Sequence, residues 1–462
     1  MTVSKRGCWL ASLVLALAPA SGWAQQQVAR LELIPPSPVT NKVILDIRGA
    51  VENNSDADRH YAVSLYLDRE SAATLLSKED NLEVGAHRNA GIYYRHTTEP
   101  WAGRHRLIVV AASPSGRLRA SRALEVLPSE VRSTRTIGGA WVGIAHWSEE
   151  EGRYWNSTIR KLTDADWRQQ IDGMHGLGMD TVVIQESFRN QAYYGKNTIA
   201  TTGYKGVAYY PSELFQGRAQ IAAHDPIEAI LSEADRLHMN VFLGVGLYAW
   251  FDFSKDSLAW HKKVAEELWR RYGRHASFYG WYLSEEASGD LIPEQGEQAK
   301  DRYRQEMIAF FREFQAFCRH LAPEKPVMLA PNTWGLLKSQ KVWPLLLAHV
   351  DIVCPFAFHR MPAGDISGER AAQIWQAMCD RAQAHLWLDM EAFVFKGAAL
   401  VPRPIGDLIQ DLQRFPNFEK ILCYQYSGLF NSPSTKVKPG GQPTVVLYRD
   451  YLAYRQRKNR KN

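Results

Sequence analysis

From Ile137 onward the chain alternates apolar, strand-like runs with amphipathic stretches, eight times over. The runs are GGAWVGIAHW, MDTVVIQES, MNVFLGVGLYAW, FYGWYLSEE, KPVMLAPNTW, VDIVCPFAF, AHLWLDMEAF and KILCYQYSG. Between them lie helical stretches such as DPIEAILSEADRLH and DRYRQEMIAFFREFQAFCRHL, and TVVLYRDYLAYR closes the series. A parallel strand is buried on both faces and reads as a continuous apolar run, and each parallel crossover has room for a helix. Eight such units over residues 131–454 predict an α/β fold of the (β/α)8, or TIM, barrel type. The competing arrangement is a doubly wound open sheet. It usually carries a Gly-rich phosphate turn after its first strand, which this chain does not offer.

The preceding region, residues 25–130, reads differently. Short alternating runs such as VARLELI, KVILDIRGAV, HYAVSLYLD and HRLIVVAAS are separated by turn-rich ENNSDADR and SPSG. They predict a small all-β, immunoglobulin-like sandwich with no catalytic constellation of its own. PSEVRSTRT reads as the linker to the barrel.

Residues 1–24 have the form of a secretory signal. Lys5 and Arg6 open it, residues 8–18 form an apolar stretch too short to span a bilayer, and Gly22-Trp23-Ala24 offers a cleavage site. The expectation is a periplasmic or secreted protein; an uncleaved anchor is the alternative. No later segment is apolar enough to span a membrane. The formal charge of +6 sits in this leader and in the tail RQRKNRKN, residues 455–462, expected to be frayed. The body between is near neutral, which argues against a nucleic-acid-binding face. Once Cys8 leaves with the leader, Cys318, Cys354, Cys379 and Cys423 remain, widely spaced and without a C-x-x-C pair. They read as buried thiols, although secretion permits disulfides. No metal-ligand spacing appears, and no metal or cofactor is expected.

A (β/α)8 barrel carries its active site at the C-terminal ends of its strands. Those ends supply Trp147 and Glu149; Gln185, Glu186 and Arg189; Tyr248, Trp250 and Asp252; Glu285 and Glu286; Asn332 and Trp334; His359 and Arg360; Asp389 and Glu391; and Tyr424, Gln425 and Tyr426. Carboxylates, amides and large aromatics suit sugars, whose C–H faces pack on rings while their hydroxyls need polar partners. Glycoside hydrolysis requires two carboxyl groups flanking the scissile bond. The Tyr-rich block at residues 193–215 is expected to wall the cleft.

GWYLSEEA, residues 280–287, resembles the strand-four signature G-W-x-L-x-N-E-P of retaining glycosidases of the large (β/α)8 clan. In that register Glu286 falls on the acid/base glutamate, Glu285 on the usual Asn and Ala287 on the common Pro. LWLDMEAF, residues 386–393, resembles the strand-seven segment that carries the nucleophile, with Glu391 its best match. GAWVGIAHWSEEEG, GMDTVVIQ and CYQYSGLFNSP make the region similar to the bacterial domain of unknown function 4434, a glycosidase-like barrel.

The resemblance implies an exported glycoside hydrolase acting on a polysaccharide or oligosaccharide, with Glu286 and Glu391 catalytic. Glu285, Trp147, Glu186, Arg189, Tyr248, Trp250, Asn332, Trp334, His359, Asp389, Tyr424 and Tyr426 are the expected substrate-binding residues. Against this stand blander readings: solvated acids opening a helix at Glu285-Glu286, a surface salt bridge at Glu186, core packing at Trp250 and Trp334, and a structural acid at Asp389. A non-catalytic carbohydrate-binding protein of exopolysaccharide synthesis or export is the alternative function, with an export system as partner. A metal-dependent deacetylase lacks ligand spacing.

Overall fold

The computed structural model describes residues 28–190, 206–215, 217–246, 252–284, 286–293 and 296–460. The expected signal peptide lies outside them, as does most of the Tyr-rich block.

Eight parallel strands close a barrel: β1 (Ile137–Val142), β2 (Thr181–Ile184), β3 (Asn240–Gly244), β4 (Phe278–Leu283), β5 (Val327–Leu329), β6 (Ile352–Val353), β7 (His385–Glu391) and β8 (Lys420–Tyr424). Each pairs with its sequence neighbour, and β8 returns to β1 with Leu422 opposite Gly139. Closure removes the free edges an open sheet would expose. Gly280 of the strand-four motif is needed for close approach: a Cβ there would stand 2.6 Å from the Pro326 carbonyl oxygen and 2.8 Å from Phe242.

Helices follow the strands as the sequence pattern predicts: α1 (Asp164–Gly176), α2 (Pro226–Leu237), α3 (Lys255–Tyr272), α4 (Lys300–Leu321), α5 (Trp343–Leu347), α6 (Gly368–Ala382), α7 (Ile405–Arg414) and α8 (Gln442–Asn459). Their starts are chemically marked. Thr163 and Asp166 form a reciprocal capping box on α1, and Asp225, Ser254 and Ser367 cap α2, α3 and α6. The tail expected to fray from Arg455 is instead helical to Asn459. Arg455 and Lys458 donate to the carbonyls of Leu177 and Thr134, which holds that last turn down.

The N-terminal region forms two sheets. Strands at 28–34, 44–53 and 88–97 make one; strands at 39–40, 116–127, 103–113, 59–67 and 75–84, in that order, make the other. Leu31, Leu45, Ile47, Val63, Leu65 and Val109 pack between them. The strand Leu75–Val84 escaped the sequence reading because it is a mostly exposed edge whose SKEDN centre lacks apolar alternation.

The two-sheet domain supplies part of the barrel floor. Ile34, at the end of its first strand, is fully buried with the barrel-interior residues Trp141, Phe242, Tyr279, Met328, Ile352 and Trp387. Tyr279 donates to the Leu33 carbonyl at 2.6 Å. Charged pairs surround this plug. Arg48 meets Asp351 at 2.7 Å, and Lys325 meets Glu32 at 2.6 Å. Burial works against the Asp351 carboxylate, but Arg48 and Arg319 outweigh it and hold its pKa down at about 2. At the start of β7, buried His385 stands between Glu419, 2.6 Å away, and Asp46 of the two-sheet domain, 3.3 Å away. Burial disfavours the imidazolium, yet the two carboxylates prevail and raise its pKa to about 9.

The sign of this linkage is fixed. A histidine raised from 6.5 to about 9 stabilises the fold fully below pH 6.5 and loses that contribution as pH rises through about 9. Urea unfolding should therefore show stability falling by up to roughly 3 kcal/mol across this window. His385→Gln should remove most of that slope; an unchanged slope would mean another group carries it.

Candidate active site

At the C-terminal rim a cavity of about 360 Å³ opens, within the range of small-ligand sites. Its carboxylates are Glu151, Glu286, Asp389 and Glu391; its amides are Gln185 and Asn332; its rings include Trp147, Trp334, Phe393, Phe395 and Tyr424.

The backbone around it is held firmly. Ser284, at the end of β4, donates to the Gln185 carbonyl at 2.5 Å. The Asn332 amide donates to the Ala287 carbonyl at 2.8 Å, and Asn332 Oδ1 accepts from the Trp334 amide at 2.7 Å. Together these bonds fix the segments on both sides of Glu286. Glu391 ends β7 and is only 3 % exposed. Arg360 Nε donates to its Oε1 at 2.7 Å, His359 Nδ1 lies 3.0 Å from its Oε2, and the Arg360 guanidinium lies 4.7 Å from the centre of the Trp334 ring.

These surroundings drive the two glutamates apart. For Glu286, burial among the cavity walls is the main cause of a pKa raised from 4.5 to about 7; Arg360 opposes the rise, while Glu151 and Glu391 add to it. For Glu391 burial also pushes upward, but His359 and Arg360 outweigh it and its pKa falls below the ordinary value. One carboxyl keeps its proton near neutrality and the other stays ionised, the split that an acid and a nucleophile need. Asp389, two residues before Glu391 on the same face of β7, is pushed well up by burial and by its two acidic neighbours.

The loop after β1 adds a carboxylate that the sequence reading passed over. Glu149 was the acid read from the run Ser148–Gly152, but it turns out to pair with Arg160. Glu151 turns in, because the chain coils here: the Gly152 amide donates to the Ser148 carbonyl at 2.9 Å. His146 supports it. Gln425 Nε2, an amide donor, lies 3.4 Å from His146 Nδ1, and the Tyr424 hydroxyl lies 3.3 Å from it. A carboxylate oxygen only accepts, so His146 Nε2, 3.0 Å from Glu151 Oε2, carries a proton. Burial lowers the His146 pKa, against the pull of Glu151.

A hairpin formed by Phe393–Lys396 and Ala399–Pro402 also escaped the sequence reading. It brings Phe393, Phe395 and Leu400 to the cavity, and the Leu400 amide donates to the Glu151 carbonyl at 3.0 Å. The alternation in FVFK is its only local sign, and it is too short to read alone.

Of the expected site residues, Trp147, Glu286, Asn332, Trp334, Asp389, Glu391 and Tyr424 line the cavity, and His359 lies beside it against Glu391. Three do not reach it. Glu186 is fully buried and ion-paired with Arg189, which in turn donates to the Ala145 and His146 carbonyls; the pair braces the β1 rim from behind. Tyr426 points into the core, stacked on Phe430. Glu285, Tyr248 and Trp250 lie outside the described residues. Cys318, Cys354, Cys379 and Cys423 are free and buried. Among the described residues no group of three or more His, Cys, Asp or Glu is placed to hold a metal, and no helix is long and apolar enough to cross a membrane.

The closed parallel barrel thus gathers its carboxylates at the C-terminal rim. A family model described as a domain of unknown function, DUF4434, matches residues 137–437, so the chain belongs to that family. No curated protein matches it. Among solved structures it is similar to a provisionally assigned alpha-L-fucosidase from Bacteroides thetaiotaomicron (16 % identity, TM-score 0.47, 70 % of this chain and 96 % of that one). It is also similar to a GH2 beta-galacturonidase from Eisenbergiella tayi (11 %, TM-score 0.41, 93 % and 72 %) and to a Bacteroides uniformis beta-glucuronidase (11 %, TM-score 0.40, 87 % and 45 %).

The geometry makes His359 and Arg360 together the groups that hold the Glu391 pKa down. Arg360→Gln should raise the Glu391 pKa while leaving the fold intact. The check is the Glu391 carboxyl carbon resonance, followed through an acid titration. An unmoved midpoint would show that His359 suffices.

Proposed function

We propose that this chain is an exported glycoside hydrolase that cleaves a polysaccharide or oligosaccharide with retention of configuration. The observation that carries this reading is the pair Glu286 and Glu391: two carboxyl groups on one aromatic-lined cavity whose surroundings drive their protonation in opposite directions. Glu286 donates its proton to the glycosidic oxygen as that bond breaks. Glu391 attacks the anomeric carbon and forms a glycosyl–enzyme ester. Glu286, now ionised, takes a proton from water as the water displaces Glu391, which restores both groups. Trp147 and Trp334 supply faces for the sugar ring, and Asn332 and Gln185 supply hydroxyl partners. The two-sheet domain, which we read as immunoglobulin-like, holds the barrel floor. Export rests on the leader sequence, and the notion of an exopolysaccharide system as partner rests on that destination.

The test is a polysaccharide panel scored by product mass, with the anomer released followed by NMR. Glu286→Gln should lower turnover by about 10²–10⁴-fold, the usual worth of a positioned acid, while leaving binding in place. Full activity in that variant would remove Glu286 from the mechanism. Inverted product would remove Glu391 as the nucleophile. Binding without any released product would favour a non-catalytic carbohydrate-binding protein.

The pH profile of kcat/KM should be bell-shaped. Activity should fall as pH rises through about 7, where Glu286 loses its proton, and as pH falls below 4.5, toward the depressed pKa of Glu391. A profile flat through pH 7 would contradict the role of Glu286.

A further inference from the structure

The cavity has more negative than positive groups. Among the described residues, Glu151, Glu286, Asp389 and Glu391 line it against one cation, Arg360. Arg360 is already engaged by Glu391 and by the face of Trp334. Glu286 and Asp389 relieve their burial by keeping protons. No Lys or Arg among the described residues pairs with Glu151, and His146, whose pKa burial lowers, gives it one hydrogen bond. A carboxylate on a cavity wall, its side chain 23 % exposed, attracts a compensating cation. A second observation points the same way: Asp389 lines the cavity at 5 % exposure, and its Oδ1 has no hydrogen-bond partner among the described residues. That oxygen calls for a hydrogen-bond partner from a ligand.

We propose that the sugar bound in this cavity carries a free ammonium group, as a 2-amino-2-deoxy sugar does, and that Glu151 receives it while Asp389 takes a neighbouring hydrogen-bond partner. This rests on the reading of the cavity as a sugar site. Ammonium supplies charge and donors together, whereas a neutral hydroxyl would leave Glu151 uncompensated. A uronate would add a further anion to four acidic side chains and be repelled. N-acetylation would remove the charge and add bulk. The rings of Trp147 and Phe395 offer faces on which a cationic sugar gains further attraction.

The experiment measures binding of the full-length Glu286→Gln protein by calorimetry at about pH 6, below the ~7.7–8.0 range of an α-amino group. The probes are glucosamine oligomers, their N-acetylated counterparts and galacturonate oligomers. Glucosamine oligomers should bind at least about tenfold tighter than the N-acetylated ones, the worth of one charge-assisted bond, and galacturonate oligomers should bind least. Adding Glu151→Gln should abolish the preference while the N-acetylated oligomers bind as before. Equal or tighter binding of the acetylated or uronate oligomers, no binding of glucosamine oligomers, or a preference that survives Glu151→Gln would each overturn the proposal. Wild-type product release on the same panel tests hydrolysis separately. Amine-selective binding without products removes the hydrolase and leaves this inference standing; cleavage of neutral glycans without amine preference does the reverse.

Discussion

Closure of the parallel barrel is the constraint on which the rest of the molecule depends. Every strand finds two neighbours, so the backbone needs nothing more from water, and the interior can be filled with Trp141, Phe242, Tyr279, Tyr282 and Trp387. A dry, filled interior has no room for charge. Polar chemistry is therefore pushed to the two ends, and only the C-terminal end has long loops to shape a cavity. The position of Glu286 and Glu391 follows from this before any catalytic argument begins: each sits at or just beyond the point where its strand leaves the core.

The fold was legible because its signals are long-range repeats of strong local patterns. All eight strands and their helices fall where apolar runs and amphipathic stretches place them, and Thr163, Asp225, Ser254 and Ser367 announce their helices at single-residue level. The site was legible in part. Residues on regular strands, such as Asp389 and Glu391, can be placed by parity alone. Residues on the loops cannot. Which acid of the run Ser148–Gly152 faces inward depends on a turn held by His146, Asn156 and Gly152, and those contacts are tertiary. Glu186 misled for the same reason: a carboxylate at a strand end reads as a ligand until Arg189, three residues on, is seen to fold back on it.

The two strongest glutamates also show why residue type alone is a weak guide to function. Glu286 and Glu391 are chemically identical, both desolvated, and both near the same arginine. Arg360 donates directly to Glu391 and acts on Glu286 only through space. That difference in contact, together with the neighbouring anion Glu151, is enough to reverse the direction in which each departs from an ordinary glutamate. The proposed assignment of acid and nucleophile thus rests on which carboxylate His359 and Arg360 touch.

The opposite end of the barrel uses the same ingredients to the opposite effect. At the floor, Asp351 is met by Arg48 and Arg319, Glu32 by Lys325 and Arg122, and His385 by Asp46 and Glu419. Each of these charges has a partner of opposite sign, and the result is an anchored domain interface. At the rim, four carboxylic acids share one arginine, and Asp389 Oδ1 is left with no hydrogen-bond partner among the described residues. Buried charge is tolerable only when compensated. The floor joins its charges to one another across the two domains, whereas the rim turns its carboxylates and Asp389 Oδ1 toward an open cavity, where a ligand's polar groups can meet them.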